Sequence, residues 1–223
     1  MKKLIRGIVD YREHILPQKL EMFAKLAKGQ SPDVLFITCS DSRVAPNWFA
    51  STDPGEMFVV RNIGNLVPPF DQTDHPESDH SVAAAIEFAV GNLNVSDIVI
   101  CGHSGCGAIH ALAGGLNKLP KSGLRNWLSF AEEPLRHRSE SFKAEEGLSN
   151  EDWLSQYNVL QQVENLKSYP KIRELFEKGQ LRLHAWWFDI GGGSVLAFRP
   201  KLNQYVILDK KNGEEILAEL GER

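Results

Sequence analysis

Cysteine is scarce in this chain of 223 residues: there are three, too few for a framework of disulfides. That excludes a disulfide-stapled secreted scaffold and makes reduced thiols in a cytoplasmic setting the default. No apolar run approaches the length that spans a bilayer. Met1-Lys2-Lys3-Leu4-Ile5 looks like the start of a signal peptide, but Arg6, Asp10, Arg12 and Glu13 interrupt any apolar core. Net basicity is missing too. Lys plus Arg total 25 against 29 Asp plus Glu, a formal charge of −4, which argues against nucleic acid or an anionic membrane as partner. Internal repeats and linkers are also lacking, so the chain reads as one domain over residues 1–223.

What is present starts with helical periodicity. Leu4, Ile5, Ile8 and Val9 share one face, and Leu20, Phe23, Leu26 and Ala27 share another. Pro17 separates the two and suits the first turn of the second helix, and Gly29 ends it. This arm, residues 1–30, precedes its own sheet; packing on that sheet and packing on a dimer partner are both open. Strands are then expected over 34–38, 57–61 and 97–101, with helices over 80–93 and 108–113. Such an order predicts an α/β domain with a mostly parallel central β-sheet flanked by helices. Residues 118–150 are polar and poorly periodic, which predicts short helices and loops. A helix over 153–166 places Leu154, Tyr157, Leu160, Val163 and Leu166 on one face, and another covers 170–178. Strands over 181–190 and 194–198 flank the turn Gly191-Gly192-Gly193, with a last one over 205–208 at the sheet edge. The charged tail, residues 209–223, suits a surface helix.

Two of the three cysteines stand where ligands collect. The run Val34-Leu35-Phe36-Ile37-Thr38 leads into Cys39-Ser40-Asp41-Ser42-Arg43-Val44, and Ile98-Val99-Ile100 leads into Cys101-Gly102-His103-Ser104-Gly105-Cys106-Gly107. Open parallel sheets bind ligands at the carboxyl ends of their strands. Cys39, His103 and Cys106 offer two thiolates and an imidazole, a donor set that suits Zn²⁺ and leaves a fourth tetrahedral position open, as catalytic zinc sites do. Singly, a cysteine is most often a small buried hydrophobe, and Cys101, which ends an apolar run, keeps that reading. Asp41 and Arg43 flank the first ligand. As a surface pair they would be worth little, whereas beside a metal a paired carboxylate orients bound water. Gly102, Gly105 and Gly107 also invite a phosphate-binding turn, but their order reverses the dinucleotide pattern. His75 and His80, in a polar acidic stretch, read as solvated surface rather than a second metal site, and His184 as a satisfied histidine in an apolar strand.

The segment C-S-D-S-R-V, the later C-G-H-S-G-C-G and, between them, GEMFVVRNIGNLVPP over residues 55–69 closely resemble the β-class carbonic anhydrases. The likeness extends more loosely from the N-terminal helices to about residue 198. It implies zinc as cofactor, one ion per subunit on Cys39, His103 and Cys106. It implies a lyase that hydrates CO₂ reversibly to bicarbonate and a proton through hydroxide generated at the metal. Two thiolates neutralise the ion formally, so its water is acidified less than three histidines would allow. By the same resemblance Asp41 and Arg43 are the catalytic dyad, and in a second, inactive state of the family the aspartate swings onto the zinc. Substrate-binding residues carried over are Gln30, Phe58, Ile63, Phe88 and Gly107, contributed from two subunits of a homodimer or of a dimer of dimers, a homotetramer. Phe88 departs from members with tyrosine there and lacks the hydroxyl. Some bacterial members bind bicarbonate at a second site built with a tryptophan, a glycine and a late tyrosine. The matching positions are Phe36, Thr38 and Phe188, so that site is not expected here. Hydrolysis of a CO₂ analogue, COS or CS₂, and a zinc-stabilised structural or interaction protein remain the alternatives.

Overall fold

The computed structural model describes residues 1–70, 80–136 and 142–221. Helices α1 (Lys2–Asp10) and α2 (Leu16–Leu26) open the chain. They are joined without a break by a π-helical turn, Tyr11–Ile15, so the two expected helices are stretches of one rod. Pro17 sits at the start of α2, directly after the π-helical turn, and inside this rod its missing N–H leaves one helical bond unmade. The apolar stripe of α1 stays uncovered by its own chain: Leu4 is 64% exposed and Ile8 66%.

Strand β1 (Val34–Cys39) is buried on both faces from Leu35 onward, as a helix-covered parallel strand requires. A short helix α3 (Pro46–Phe49) leads to β2 (Met57–Asn62), and a single 3-10 turn, Ile63–Asn65, follows. Helix α4 (His80–Gly91) precedes β3 (Asp97–His103), which runs into α5 (Gly107–Gly114). Next come α6 (Gly123–Arg136), α7 (Asn150–Leu166), α8 (Pro170–Glu177), β4 (Arg182–Asp189), β5 (Ser194–Arg199), β6 (Gln204–Ile207) and α9 (Lys210–Leu220). No helix among the described residues is long and apolar enough to cross a membrane.

The six-stranded sheet has the order β2-β1-β3-β4-β5-β6. Its first four strands are parallel and only β5 runs against them, pairing antiparallel with β4 and β6, so the expectation of a mostly parallel sheet holds. From β1 the chain passes to β2 on one side and returns to β3 on the other. That reversal opens a crevice at the carboxyl ends of β1 and β3, where Cys39 and His103 lie. Leu35, Ile37, Ile86, Ile98, Ile100, Val159 and Ile172 pack on one sheet face. Each is worth roughly 1.5–3 kcal/mol when fully buried. Phe36, Val99 and Cys101 face the other side with Phe49, Trp186 and Phe188.

Two segments differ from expectation. The stretch read as short helices and loops contains α6, a 14-residue helix whose Leu128 and Ala131 are fully buried. In α7, Tyr157, Leu160 and Val163 are half-buried, while Ser155, Asn158, Gln162 and Asn165 are buried with Leu154, Val159 and Leu166. Main-chain groups beneath α7 need partners, and a wholly apolar stripe would leave them unpaired.

Close approach of α7 to β3 depends on Gly102, where a Cβ would meet Val159 Cγ2 at 2.6 Å and Trp187 Cδ1 at 3.3 Å. Val159 is β-branched and has little rotamer freedom to retreat. Gly102→Ala should therefore cost about 1–3 kcal/mol by overpacking. Urea unfolding measures this, and an unchanged midpoint would mean that α7 shifts at no cost.

Candidate metal centre

Strand geometry brings three donors into one buried place. Cys39 ends β1, His103 ends β3, and Cys106 stands at the N-cap of α5. One donor atom from each lies within 4.8 Å of the others. All three side chains are buried, His103 completely. The His103 Nδ1–H donates to the Ser104 carbonyl at 2.9 Å, which fixes the tautomer and leaves Nε2 with a free lone pair. That Nε2 is buried and has no hydrogen-bond partner among the described residues. An orphaned buried acceptor is costly, and two sulfurs and a nitrogen converging on one point are what a borderline-soft cation satisfies.

Charge is distributed unevenly over the two thiols. The hydrogen bond from Cys106 holds Cys39 down at about 4 against the cost of burial, with help from His103 and the Gly64 N–H. Cys106 is pushed far up, because its bond to Cys39 and its burial both disfavour a second charge. Burial opposes the charged form of His103, but the adjacent Cys39 sulfur outweighs it and the pKa rises. Without a cation the cluster therefore keeps protons that a cation would displace.

Asp41 and Arg43 form a bidentate pair beside this cluster. Arg43 Nε donates to Asp41 Oδ1 at 2.9 Å and Arg43 Nη2 to Oδ2 at 2.7 Å; the Arg43 main-chain N–H adds a third bond at 2.9 Å. Arg43 Nη2 also donates to the Gly105 carbonyl at 3.2 Å, tying the pair to the His103–Cys106 loop. Its guanidinium holds the Asp41 carboxyl well below the usual carboxylate range. Asp41 Oδ2 lies 3.9 Å from His103 Nε2, within reach of anything the three donors hold.

The five expected lining residues fall into two groups. Gly107 follows Cys106 at the start of α5, and Ile63, 43% exposed, directly precedes Gly64, whose N–H donates to Cys39 Sγ at 3.4 Å. Phe58, by contrast, pairs in register with Leu35, four residues before Cys39, or about 13 Å along the strand. Phe88, 43% exposed, packs on Phe58 with ring centroids 5.9 Å apart. Gln30 lies exposed before the opposite end of β1 from Cys39. One chain does not bring Gln30, Phe58 and Phe88 to its own cluster.

Cys101, His184 and His80 do not join the cluster. Cys101 is a fully buried thiol pushed up to about 12 by burial. His184 Nε2 bonds Asp97 Oδ1 at 2.7 Å, beside Arg182. His80 is exposed at the start of α4, and His75 lies outside the described residues. Phe36 and Phe188 belong to an aromatic cluster with Phe49 and Trp186, and the Thr38 hydroxyl donates to the Cys101 carbonyl at 2.8 Å.

Sequence reading missed the groups that hold the ligand loops. Arg61 donates to the Cys39 carbonyl at 3.0 Å and to the Asp41 carbonyl at 2.7 Å, fixing the turn between them. Along α7, Asp152 accepts from the Gly105 N–H at 2.8 Å and Ser155 donates to the His103 carbonyl at 2.8 Å. Farther along, Asn158 donates to the Gly64 carbonyl at 3.1 Å, and Asn165 to the Val67 carbonyl at 2.8 Å. The signal available was the recurrence of polar residues every three or four positions in α7.

Comparison with known proteins places these features in a family. The profile of the family described as carbonic anhydrase matches residues 34–195. A carbonic anhydrase of Synechococcus elongatus is 40% identical over 198 residues, 88% of this chain and 71% of that protein. The solved structure of the β-carbonic anhydrase CcaA superimposes with a TM-score of 0.81 at 35% identity, covering 93% of this chain and 98% of that one. Tetrameric β-carbonic anhydrases of the ascomycete Sordaria macrospora give a TM-score of 0.68 at 32% identity, covering 88% and 95%.

The three donors generate a test independent of turnover. Cys106→Ser should lose most of the bound metal on elemental analysis, whereas Cys101→Ser should retain it. Because Cys106 and His103 carry raised pKa values, metal must displace protons, and affinity should fall as pH falls. The fall should be about tenfold per pH unit for each proton displaced, read by chelator competition. An affinity indifferent to pH would remove Cys106 from the ligand set.

Proposed function

The chain belongs to the β-carbonic anhydrase family, and from that premise we propose that it hydrates CO₂ reversibly to bicarbonate, with one zinc ion per subunit on Cys39, His103 and Cys106. The buried, unpartnered Nε2 of His103, converging with two sulfurs, is the observation that carries this reading. Bound there, zinc would supply the Lewis acidity that makes a water nucleophilic near neutral pH. Asp41 would accept a hydrogen bond from that water and aim it, since Arg43 holds the carboxylate ionised and in one orientation. Ile63 gives the apolar wall a small, uncharged substrate requires, and Gly107 leaves room beside the ligands.

Assembly follows from the two groups of lining residues. Gln30, Phe58 and Phe88 sit away from their own cluster, and the α1 stripe is uncovered. A second copy accounts for both, receiving the arm and completing the pocket, as a homodimer or a dimer of dimers. Its free thiols suit a reducing, cytoplasmic setting. Stopped-flow proton release with CO₂ and with COS tests the activity, and turnover of COS alone would replace the reading.

Two variants test its parts. As an exposed surface pair, Arg43 would be worth at most about 1 kcal/mol and its loss would leave turnover intact. As the group that holds Asp41 off the metal, its loss frees an anionic carboxylate 3.9 Å from a ligand nitrogen. Arg43→Ala should then keep its zinc, fold normally and be nearly inactive near neutral pH, with Asp41 as fourth ligand in a crystal structure. Wild-type CO₂ hydration by this variant would return Arg43 to the surface. Deletion of residues 1–28 should abolish both dimer and activity in sedimentation and stopped-flow assays; an active monomer would overturn the shared pocket.

A further inference from the structure

The Gly64 N–H that bonds Cys39 belongs to a peptide gripped from elsewhere. Its carbonyl, that of Ile63, accepts a hydrogen bond from the Trp127 indole N–H on α6 at 2.7 Å. The next carbonyl, that of Gly64 itself, accepts from Asn158 Nδ2 on α7 at 3.1 Å. Asn158 is 1% exposed and is fixed in turn by Gln162 Nε2, which donates to its Oδ1 at 2.9 Å. Gly64 has φ 80° and ψ 15°, and a Cβ there would meet Ala108 Cβ at 3.0 Å. No side chain of its own can therefore steer this residue, and the two flanking carbonyl bonds orient it.

Hydrogen bonds in series polarise one another, by about 10–30% per bond. An indole N–H on the Ile63 carbonyl withdraws electron density from the amide and makes the Gly64 N–H a better donor. A better donor drains charge from the Cys39 sulfur at 3.4 Å, and that sulfur then gives less charge to the metal it ligates. We propose that Trp127 and Asn158 are positioning residues that set the strength of the Gly64 N–H···Sγ bond, and through it the electron donation of Cys39 to the metal. The inference rests on the zinc reading above but goes to residues outside the ligand set and outside the Asp41–Arg43 pair.

Trp127→Phe isolates the effect, since it keeps an aromatic ring and removes the N–H. Cobalt(II)-substituted protein is the probe, because its thiolate-to-metal charge-transfer band reports sulfur donation without turnover. In Trp127→Phe the band should move to longer wavelength. For the zinc protein, the pH midpoint of kcat/KM for CO₂ should rise, and kcat/KM near neutral pH should fall about tenfold, the lower end of what such outer partners contribute. Asn158→Ser should move both readouts in the same direction, and it carries the test alone if Trp127→Phe does not fold. Tyr169→Phe, which removes a buried bond to the Pro68 carbonyl outside this network, should move neither. A band and a pH midpoint unchanged in Trp127→Phe and Asn158→Ser, or shifted equally in Tyr169→Phe, would overturn the proposal. Failure of the functional reading looks different: wild-type protein would show the thiolate band and hydrate no CO₂.

Discussion

Two sulfurs and an imidazole nitrogen within 4.8 Å of one another, on buried side chains, are the demand around which the rest is arranged. Burial penalises each charge that would make these atoms good ligands, and the thiols penalise one another. The surroundings answer with fixed dipoles rather than with counter-ions. The Gly64 N–H points at Cys39, the first N–H groups of α5 work to lower Cys106, and the Ser104 carbonyl holds the His103 proton on the far nitrogen. Asp41, the nearest anion, is neutralised by Arg43 rather than left to compete for the centre. A cation is then the one charge the place accepts.

Such a cluster needs backbone held to a few tenths of an ångström, and loops do not supply that unaided. The sheet reversal between β2, β1 and β3 brings Cys39 and His103 side by side at the carboxyl edge. Beyond the strand ends, precision comes from polar side chains spent on main-chain groups: Arg61 on the Cys39–Asp41 turn, and Asp152, Ser155 and Asn158 on the segments carrying Gly105, His103 and Gly64. A buried polar stripe on α7 is costly if unpaired, and here Ser155, Asn158, Gln162 and Asn165 each bond the chain beneath, while Gln156 Nε2 has no partner among the described residues. This explains why α7 approaches β3 over a glycine: Ser155 reaches the His103 carbonyl because Gly102 has no side chain in the way.

Much of this was legible in the sequence, for separable reasons. The strands announced themselves as short apolar runs, and Cys39, His103 and Cys106 stood at their ends, so position along the chain already meant position on the sheet edge. Periodicity located α7 but misjudged its inward face, because counting apolar residues ignores the backbone polar groups a helix has to satisfy. Helix α6 escaped for a related reason. Its apolar residues are interleaved with polar and charged ones, which blurs the period. Arg61 and Trp127 carried no signal, since each bonds a carbonyl singly and not as one of a spaced series. Family resemblance named Gln30, Phe58 and Phe88 as lining residues; their separation from the cluster appears only when β1 is laid out in space.

The face of the sheet behind Cys39 bears on how the site is governed. An anion settling there would need room and donors beside the strand that ends in the ligand. Phe36 is 1% exposed, Phe188 stacks on Phe49 with centroids 4.8 Å apart, and Trp186 meets Phe36 edge-on at 6.0 Å. Opening that cluster would cost roughly 1.5–3 kcal/mol for each aromatic ring returned to water, before any anion was desolvated. Polar groups at hand are already engaged: the Thr38 hydroxyl is given to the Cys101 carbonyl, and Arg61, paired in register with Thr38, is turned onto the Cys39 and Asp41 carbonyls. Recruiting Arg61 to an anion would loosen the turn between Cys39 and Asp41. The packing thus commits these polar groups to the protein's own backbone, and Arg43 is the cation that holds Asp41 in its orientation.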